Sequence, residues 1–385
     1  MKKTNIVQFL PYFPPHKWGL ETHAKQFWEK YVESVFWNVI NVITSFEQEN
    51  KITQDDQITF KWEVIWYKEN GVENLVVPSF EIIPNFSTYK IFSKKFKLIK
   101  EYLKTKNINI VITRTRFFLT SFIWWRFAKR NKIKWVHIEH GSDYVKLSSN
   151  FKNLIAKIYD HTIWKRIFKN ANQLVWVSNA CKDFIQKEFV KRDVEVIYRW
   201  IELQEIDNKK EWELKLAFIW RLVKLKWVED LLKSYKNLNI NIWLDIIWNW
   251  DELSNLERYV FKNKLNNVKF LWFKDKKFIV NYLSKNKIIL ISPSYQEWLP
   301  TSVLEGLFYN NVVVASNVWW TSEISNKDDL ILFEAWNIKQ LTEKIKVAIK
   351  NYDKLVWKSK KTILEKFSWD KNIRDFYNLF SKNIK

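Results

Sequence analysis

The chain has 385 residues, 47% hydrophobic and 28% charged, with a formal net charge of +22. That length and apolar share suit a globular protein of two or three domains and exclude a disordered or fibrous chain. A lone cysteine, Cys181, excludes an intramolecular disulfide and a cysteine-based zinc site. The longest apolar runs, such as IILISP and NVVVAS, are strand-sized, so no transmembrane helix is expected. The apolar run in MKKTNIVQFLPYFPP is too short for a signal peptide, and a cytoplasmic location is expected.

Short β-branched and aromatic runs alternate with amphipathic stretches, which predicts an α/β fold of βα units around parallel sheets. In the first half the expected strands are 5–13, 38–46, 109–114, 134–140, 173–178 and 194–199, with helices between them. Between Lys90 and Lys134 the chain sets 14 Lys and Arg against one acidic residue, Glu101. These charges interleave with Phe92, Phe96, Tyr102, Phe117, Phe118, Phe122 and Phe127, a composition suited to an anionic membrane surface or nucleic acid. A solvated lysine-rich face explains the same residues equally well. After the polar stretch 205–213 the pattern restarts with strands at 214–220, 240–248, 268–273, 287–294, 312–316 and 330–334, followed by a helix at 337–352. The restart divides the chain into expected domains at 1–205 and 206–366, with a closing helix in 367–385.

Two counts are abnormal together: 4 glycines and 24 tryptophans. A globular chain of this length averages about 7% glycine, roughly 27 residues. Tryptophan sits inside turn sequences that make sense only with glycine, as in HKWGLE at 16–21, IIWNWDE at 246–252 and NVWWTSE at 317–323. The expectation is that UGA codons, decoded as glycine in the host, are read here as tryptophan. The positions that carry it are Trp18, Trp220, Trp227, Trp248, Trp250, Trp298, Trp319 and Trp320, whereas Trp135 and Trp369 sit where an indole belongs.

The most specific signal is YQEWLPTSVLEGLFYNN at 295–311, directly after a strand. Pro300 suits a helix start, which puts Glu297 on the preceding loop and Glu305 more than one turn inside the helix. Backbone N–H groups near Leu299, Thr301 and Ser302 then crown the helix N-terminus, where a phosphate is favoured. Arg221 and Lys226, in WRLVKLKW at 220–227, follow the first strand of the second half as basic loop residues, at the edge where α/β folds bind ligands. In IIWNWDE, glycines at 248 and 250 would let the backbone around Asn249 approach a nucleotide.

The 295–324 stretch resembles the E-x7-E signature of retaining GT-B glycosyltransferases of the family-4 type, and the resemblance extends over essentially the whole chain. It implies two Rossmann-like domains facing a cleft, with a C-terminal helix crossing back to the first domain. It also implies that Glu297 contacts the transferred sugar and Glu305 the ribose, and that Arg221 and Lys226 neutralise the leaving diphosphate. The Gly-Gly loop containing Gly19 would face the donor phosphates, and His140, at a strand end in HIEHG, would contact the donor sugar. The implied partners are a nucleotide-diphosphate sugar and a glycan or lipid-linked acceptor in cell-envelope synthesis; the basic, aromatic segment 90–134 adds an anionic membrane surface as a further expected partner. No cofactor, no metal and no nucleic acid is expected. A non-hydrolysing nucleotide-sugar epimerase shares the fold and is the alternative enzyme; a basic nucleic-acid-binding protein is the alternative of another class. Two features depart from the pattern: YRWIE at 198–202, and Asn311 where a proline is common, both read as lying outside the core.

Overall fold

The computed structural model describes all residues except 1–3, 14–23, 26, 30–31, 33–36, 46–58, 62–63, 84–85, 146–148, 202, 207–209, 220–225, 248–252, 273, 296–299, 319–320, 325–329, 357–359 and 385. The side chains of 37, 59–61, 64, 83, 226–227, 253–254 and 383–384 also lie outside the description. The chain divides into two compact units, one of Met1–Val177, Cys181–Ile197 and Ile373–Lys385, the other of Ser178–Ala180 and Tyr198–Asn372. Each is built around its own largely parallel sheet.

The first unit holds strands β1 (Thr4–Leu10), β2 (Trp37–Thr44), β3 (Thr59–Lys61), β4 (Val64–Glu69), β5 (Val72–Val77), β6 (Ser79–Ile83), β7 (Phe86–Tyr89), β8 (Ile110–Arg114), β9 (Lys134–Glu139), β10 (Gln173–Trp176) and β11 (Glu195–Val196). Nine of them form one sheet in the order β11-β10-β9-β8-β1-β2-β5-β4-β3, and β6 and β7 pair separately as a hairpin. The sheet is parallel from β11 through β5, so its central strands are buried on both faces and read as continuous apolar runs. Strands β3 and β4 add an antiparallel edge. The turn joining β4 to β5 is Asn70–Gly71, both at positive φ (47° and 80°), as a two-residue hairpin turn with the twist of its strands requires. The end of the chain packs in this unit: Phe376 meets the Phe27 ring edge-on at 5.0 Å, and Phe380 lies 6.2 Å from Trp28.

The second unit holds β12 (Leu214–Ile219), β13 (Leu244–Ile247), β14 (Val268–Leu271), β15 (Lys287–Ser292), β16 (Val312–Ser316) and β17 (Ile331–Phe333), all parallel, in the order β14-β13-β12-β15-β16-β17. Its core joins Leu216, Phe218, Ile289 and Val314 of the sheet to Leu231, Leu232, Leu341 and Ile345 of the helices Lys226–Leu238 and Ile338–Lys350. The helix Thr301–Phe308 lies directly on the sheet at Gly306, where an added Cβ would come within 2.7 Å of Leu290 Cδ2 and 3.2 Å of Val313 Cγ2. Asn311 is not the peripheral residue the sequence suggests. It is 1% exposed, accepts the Ile288 N–H at 3.2 Å and donates to the Leu283 carbonyl at 2.9 Å. It also receives the Lys210 ammonium, whose pKa burial pushes down to about 7.

The aromatic residues of 90–134 mostly serve the core rather than the surface. Phe96, Phe118 and Phe127 are buried, and Tyr102 and Phe122 pack against the core; Phe92 is the fully exposed one. Among the described residues no helix is long and apolar enough to cross a membrane.

Candidate active site

In an open α/β sheet the ligand crevice opens at the carboxyl ends of the strands where the strand order reverses. In the second unit that point lies between β12 and β15, which pair directly, with β13 continuing on one side and β16 on the other. The chain leaves β12 at Ile219 and enters the segment holding Arg221; it leaves β15 at Ser292 and runs toward Glu297 and the helix Thr301–Phe308. The two most specific motifs of the sequence therefore emerge from adjacent strands at one edge of the sheet.

Pro300 caps the helix Thr301–Phe308 with non-helical backbone (ψ 88°). The helix's own hydrogen bonds begin with the N–H groups of Val303 and Leu304, both donating to the Pro300 carbonyl at 3.0 and 3.2 Å. The earlier N–H groups of Thr301 and Ser302 carry the positive end of the helix dipole. Ser302 is buried at 9% exposure, and Glu305, half-buried, stands on the helix's second turn. Lys226 is the first residue of the helix Lys226–Leu238, a correction to its reading as a loop residue. Gly19, Arg221, Asn249, Glu297 and Leu299 lie outside the described residues.

The first unit has its own reversal point, between β1 and β8. His140 follows β9, one strand further along, at 5% exposure, so the sequence-predicted strand-end histidine sits at the carboxyl edge. Arg114 closes β8 beside it, 1% exposed: its Nε donates to Gln8 Oε1 at 2.8 Å, and Nη1 lies 3.5 Å from His140 Nε2.

Beneath His140 lies a buried polar cluster that the sequence reading missed. The Glu139 carboxylate accepts the backbone N–H groups of Arg116 (3.0 Å), His140 (3.0 Å) and Gly141 (2.7 Å), and lies 3.4 Å from the Arg116 guanidinium. His137 Nε2 is 3.2 Å from the same carboxylate, and its Nδ1 is 2.8 Å from Thr113 Oγ1. Thr113 already accepts the Trp135 indole N–H at 2.9 Å, so its hydroxyl donates to Nδ1 and His137 donates through Nε2 to Glu139. Burial lowers the His137 pKa and keeps the ring neutral, consistent with that tautomer. Burial alone would push the Glu139 carboxyl up, but Arg116, His137 and the Gly141 N–H together hold it below the ordinary value. On the other side of Arg116, whose Nε is 3.2 Å from Asp160 Oδ2, burial raises the Asp160 pKa to about 6 against the pull of the guanidinium.

Gly141 leaves room for this packing, because an added Cβ would meet Arg116 Nη1 at 2.5 Å and Phe117 Cζ at 2.8 Å and force the buried guanidinium to shift. The available signal was alternation: His137 and Glu139 share one face of a strand whose other residues after Lys134 are buried and apolar, where a carboxylate needs partners. Glu139→Ala removes one of the two carboxylates paired with the Arg116 guanidinium, itself 0% exposed, and the acceptor of three backbone N–H groups, and should destabilise the first unit by about 3–5 kcal/mol in denaturant titration. A loss below about 1 kcal/mol would show that the cluster does not hold the turn.

Residues 201–363 match the family model described as Glycosyl transferases group 1, and residues 58–205 match that of Glycosyltransferase Family 4. The chain is a GT-B glycosyltransferase. A relative described as an uncharacterized glycosyltransferase of Methanocaldococcus jannaschii is 29% identical to this transferase, with 100% of both chains covered. Among solved structures, the sucrose-phosphate synthase of Thermosynechococcus elongatus superposes with a TM-score of 0.74 at 15% identity, over 99% of each chain. A glycosyltransferase of Rickettsia africae gives 0.74 at 18%, over 100% of each. Anabaena HepE in complex with UDP gives 0.72 at 12%, over 98% of the transferase and 100% of HepE. These identities carry the fold alone.

Proposed function

We propose that this glycosyltransferase moves a sugar from a nucleotide-diphosphate donor to an acceptor hydroxyl with retention of the anomeric configuration, in cell-envelope polysaccharide or glycolipid synthesis at the cytoplasmic side. The observation that carries the reading is the emergence of 220–227 and 293–305 from β12 and β15, the adjacent strands at the reversal point of the second sheet. HepE, of the same fold, has been seen with UDP and with UDP-glucose.

In this reading the diphosphate lies against the N-terminus of the helix Thr301–Phe308, with the N–H groups of Leu299, Thr301 and Ser302 toward its oxygens. Negative charge grows on the diphosphate as the glycosidic bond breaks, and Arg221, Lys226 and the helix dipole stabilise it most where it is largest. Glu305 holds the ribose, Glu297 and His140 hold the donor sugar, and the backbone at Gly19 and Asn249 lets phosphate and nucleotide approach closely. The incoming hydroxyl attacks the face from which the diphosphate departs, and the leaving phosphate oxygen accepts its proton. Glu139 acts through His140 as a positioning residue, since it fixes the backbone on which the imidazole stands. Anomeric analysis of the product by NMR tests the stereochemistry: an α-linked product from an α-linked donor is expected, and a β-linked product would contradict it.

The tryptophan recoding belongs to the same proposal. Trp336 has φ 71°, in the left-handed region that glycine occupies without penalty and a large L-residue does not. Trp176, fully buried in β10, has an indole N–H without a hydrogen-bond partner among the described residues. By contrast, Trp135, read as a true tryptophan, donates its N–H to Thr113. Trp227 stands in the first turn of a helix, so left-handed backbone is not the reason for glycine there. The other seven tryptophans that carry the expectation lie outside the described residues.

A further inference from the structure

The helix Asn150–Tyr159 buries none of its residues and faces its apolar side outward. Phe151, Leu154, Ile155 and Ile158 are 71, 56, 51 and 54% exposed, and their spacing makes them one stripe. Lys152 and Lys157, both exposed, fall on the two flanks of that stripe. The helix packs against a cavity of about 310 Å³ that Ile155 and Ala156 line together with Ile82, Phe86, Phe118 and Leu119. Beyond the cavity the β6–β7 hairpin turns Phe80 and Ile82 outward at 45 and 53%, and the chain after it exposes Ile91 and Phe92 among the exposed Lys90, Lys94 and Lys95.

The acidic groups beside this face are engaged inward. Glu81 accepts the Tyr12 hydroxyl at 2.9 Å, and Asp160 is buried against Arg116. Ile155 of the helix and Ile82 of the hairpin line the same cavity, so their exposed apolar side chains share one lysine-flanked face, larger in exposed side chains than scattered surface leucines account for. An amphipathic helix of this composition lies in the plane of a membrane interface, its apolar stripe below the headgroups and its lysines reaching up to them.

We propose that this face docks the first unit onto an anionic lipid bilayer. The charge pattern selects that occupant: a second copy of the chain meeting this face by two-fold symmetry would set the same lysines against one another. The proposal is independent of the sugar-transfer reading, because none of these residues belongs to the candidate active site. From the segment 90–134 the exposed face takes Lys90, Ile91, Phe92, Lys94 and Lys95, whereas most of the segment's aromatic residues are in the core or packed against it.

The test is co-sedimentation of the full chain with vesicles of phosphatidylcholine alone and of phosphatidylcholine with phosphatidylglycerol. The wild type is expected to bind the anionic vesicles and not the neutral ones. The double variant Lys152→Gln with Lys157→Gln should weaken that binding about 30-fold. Phe151→Ser with Ile155→Ser should weaken it by more than about tenfold. All four positions are exposed, so thermal unfolding should be unchanged and a loss of binding will not reflect misfolding. Anionic-vesicle binding that survives either double variant would overturn the proposal, as would a wild type that ignores vesicles but forms a dimer abolished by Phe151→Ser with Ile155→Ser.

Discussion

Peptide masses of the protein from its native host should show glycine at positions 18, 220, 227, 248, 250, 298, 319 and 320, and at 336 as well. The first eight positions are chosen by turn chemistry in the sequence, and the last by the left-handed backbone of Trp336. Left-handed geometry costs an L-residue roughly 1–2 kcal/mol before any clash of an indole with its surroundings. Several such sites would consume a stability of about 5–15 kcal/mol. A chain synthesised with tryptophan at all nine positions should therefore be poorly soluble and inactive, whereas the chain with glycine there should be soluble and turn over donor. The codons decide independently of the biochemistry: UGA at these positions is expected, and UGG would refute the recoding.

Much of the fold was legible in the sequence because parallel strands buried on both faces read as apolar runs. The six strands of the second unit lie within the six segments expected there, though several are shorter, as with Leu244–Ile247 inside 240–248. The first unit was less legible. No strand was expected between 46 and 109, yet β3, β4, β5, β6 and β7 all fall there: β5 extends the parallel sheet, β3 and β4 form its antiparallel edge and β6 and β7 a separate hairpin, with polar residues such as Glu73, Asn74, Ser87 and Thr88 interrupting their apolar runs. The Asn-Gly pair at 70–71 was the local sign of the turn between β4 and β5, and its weight was missed.

The candidate site divides in the same way. The loop-and-helix motif at 295–311 announces itself by local chemistry, because a proline, a helix start and a glutamate one turn in are neighbours in sequence. The cluster under His140 does not, because Arg116, Glu139 and Asp160 come from three separate elements and meet only when the sheet forms. The outward-facing stripe of the helix Asn150–Tyr159 was equally hidden: periodicity shows that a helix has an apolar face, not whether the fold covers it.

Glu297→Ala and Lys226→Ala are each expected to cut sugar transfer by about 10²–10³-fold while leaving thermal unfolding unchanged. The magnitude is that of removing one preorganised group that stabilises a transition-state charge or holds the reacting sugar. Folding should survive because Lys226 is the first residue of its helix, ahead of the core residues Val228, Leu231 and Leu232. Loss in Lys226→Ala should appear in kcat/KM for the donor and leave the KM of the acceptor largely unchanged. The measurement that tests the central claim most directly is calorimetric titration of the native-host protein and its Lys226→Ala variant with a panel of nucleoside diphosphates. The account predicts that at least one nucleoside diphosphate binds the wild type and binds the variant at least about tenfold more weakly. Equal affinity in the two proteins, or no binding by the wild type to any member of the panel, would contradict a donor site at the β12–β15 edge.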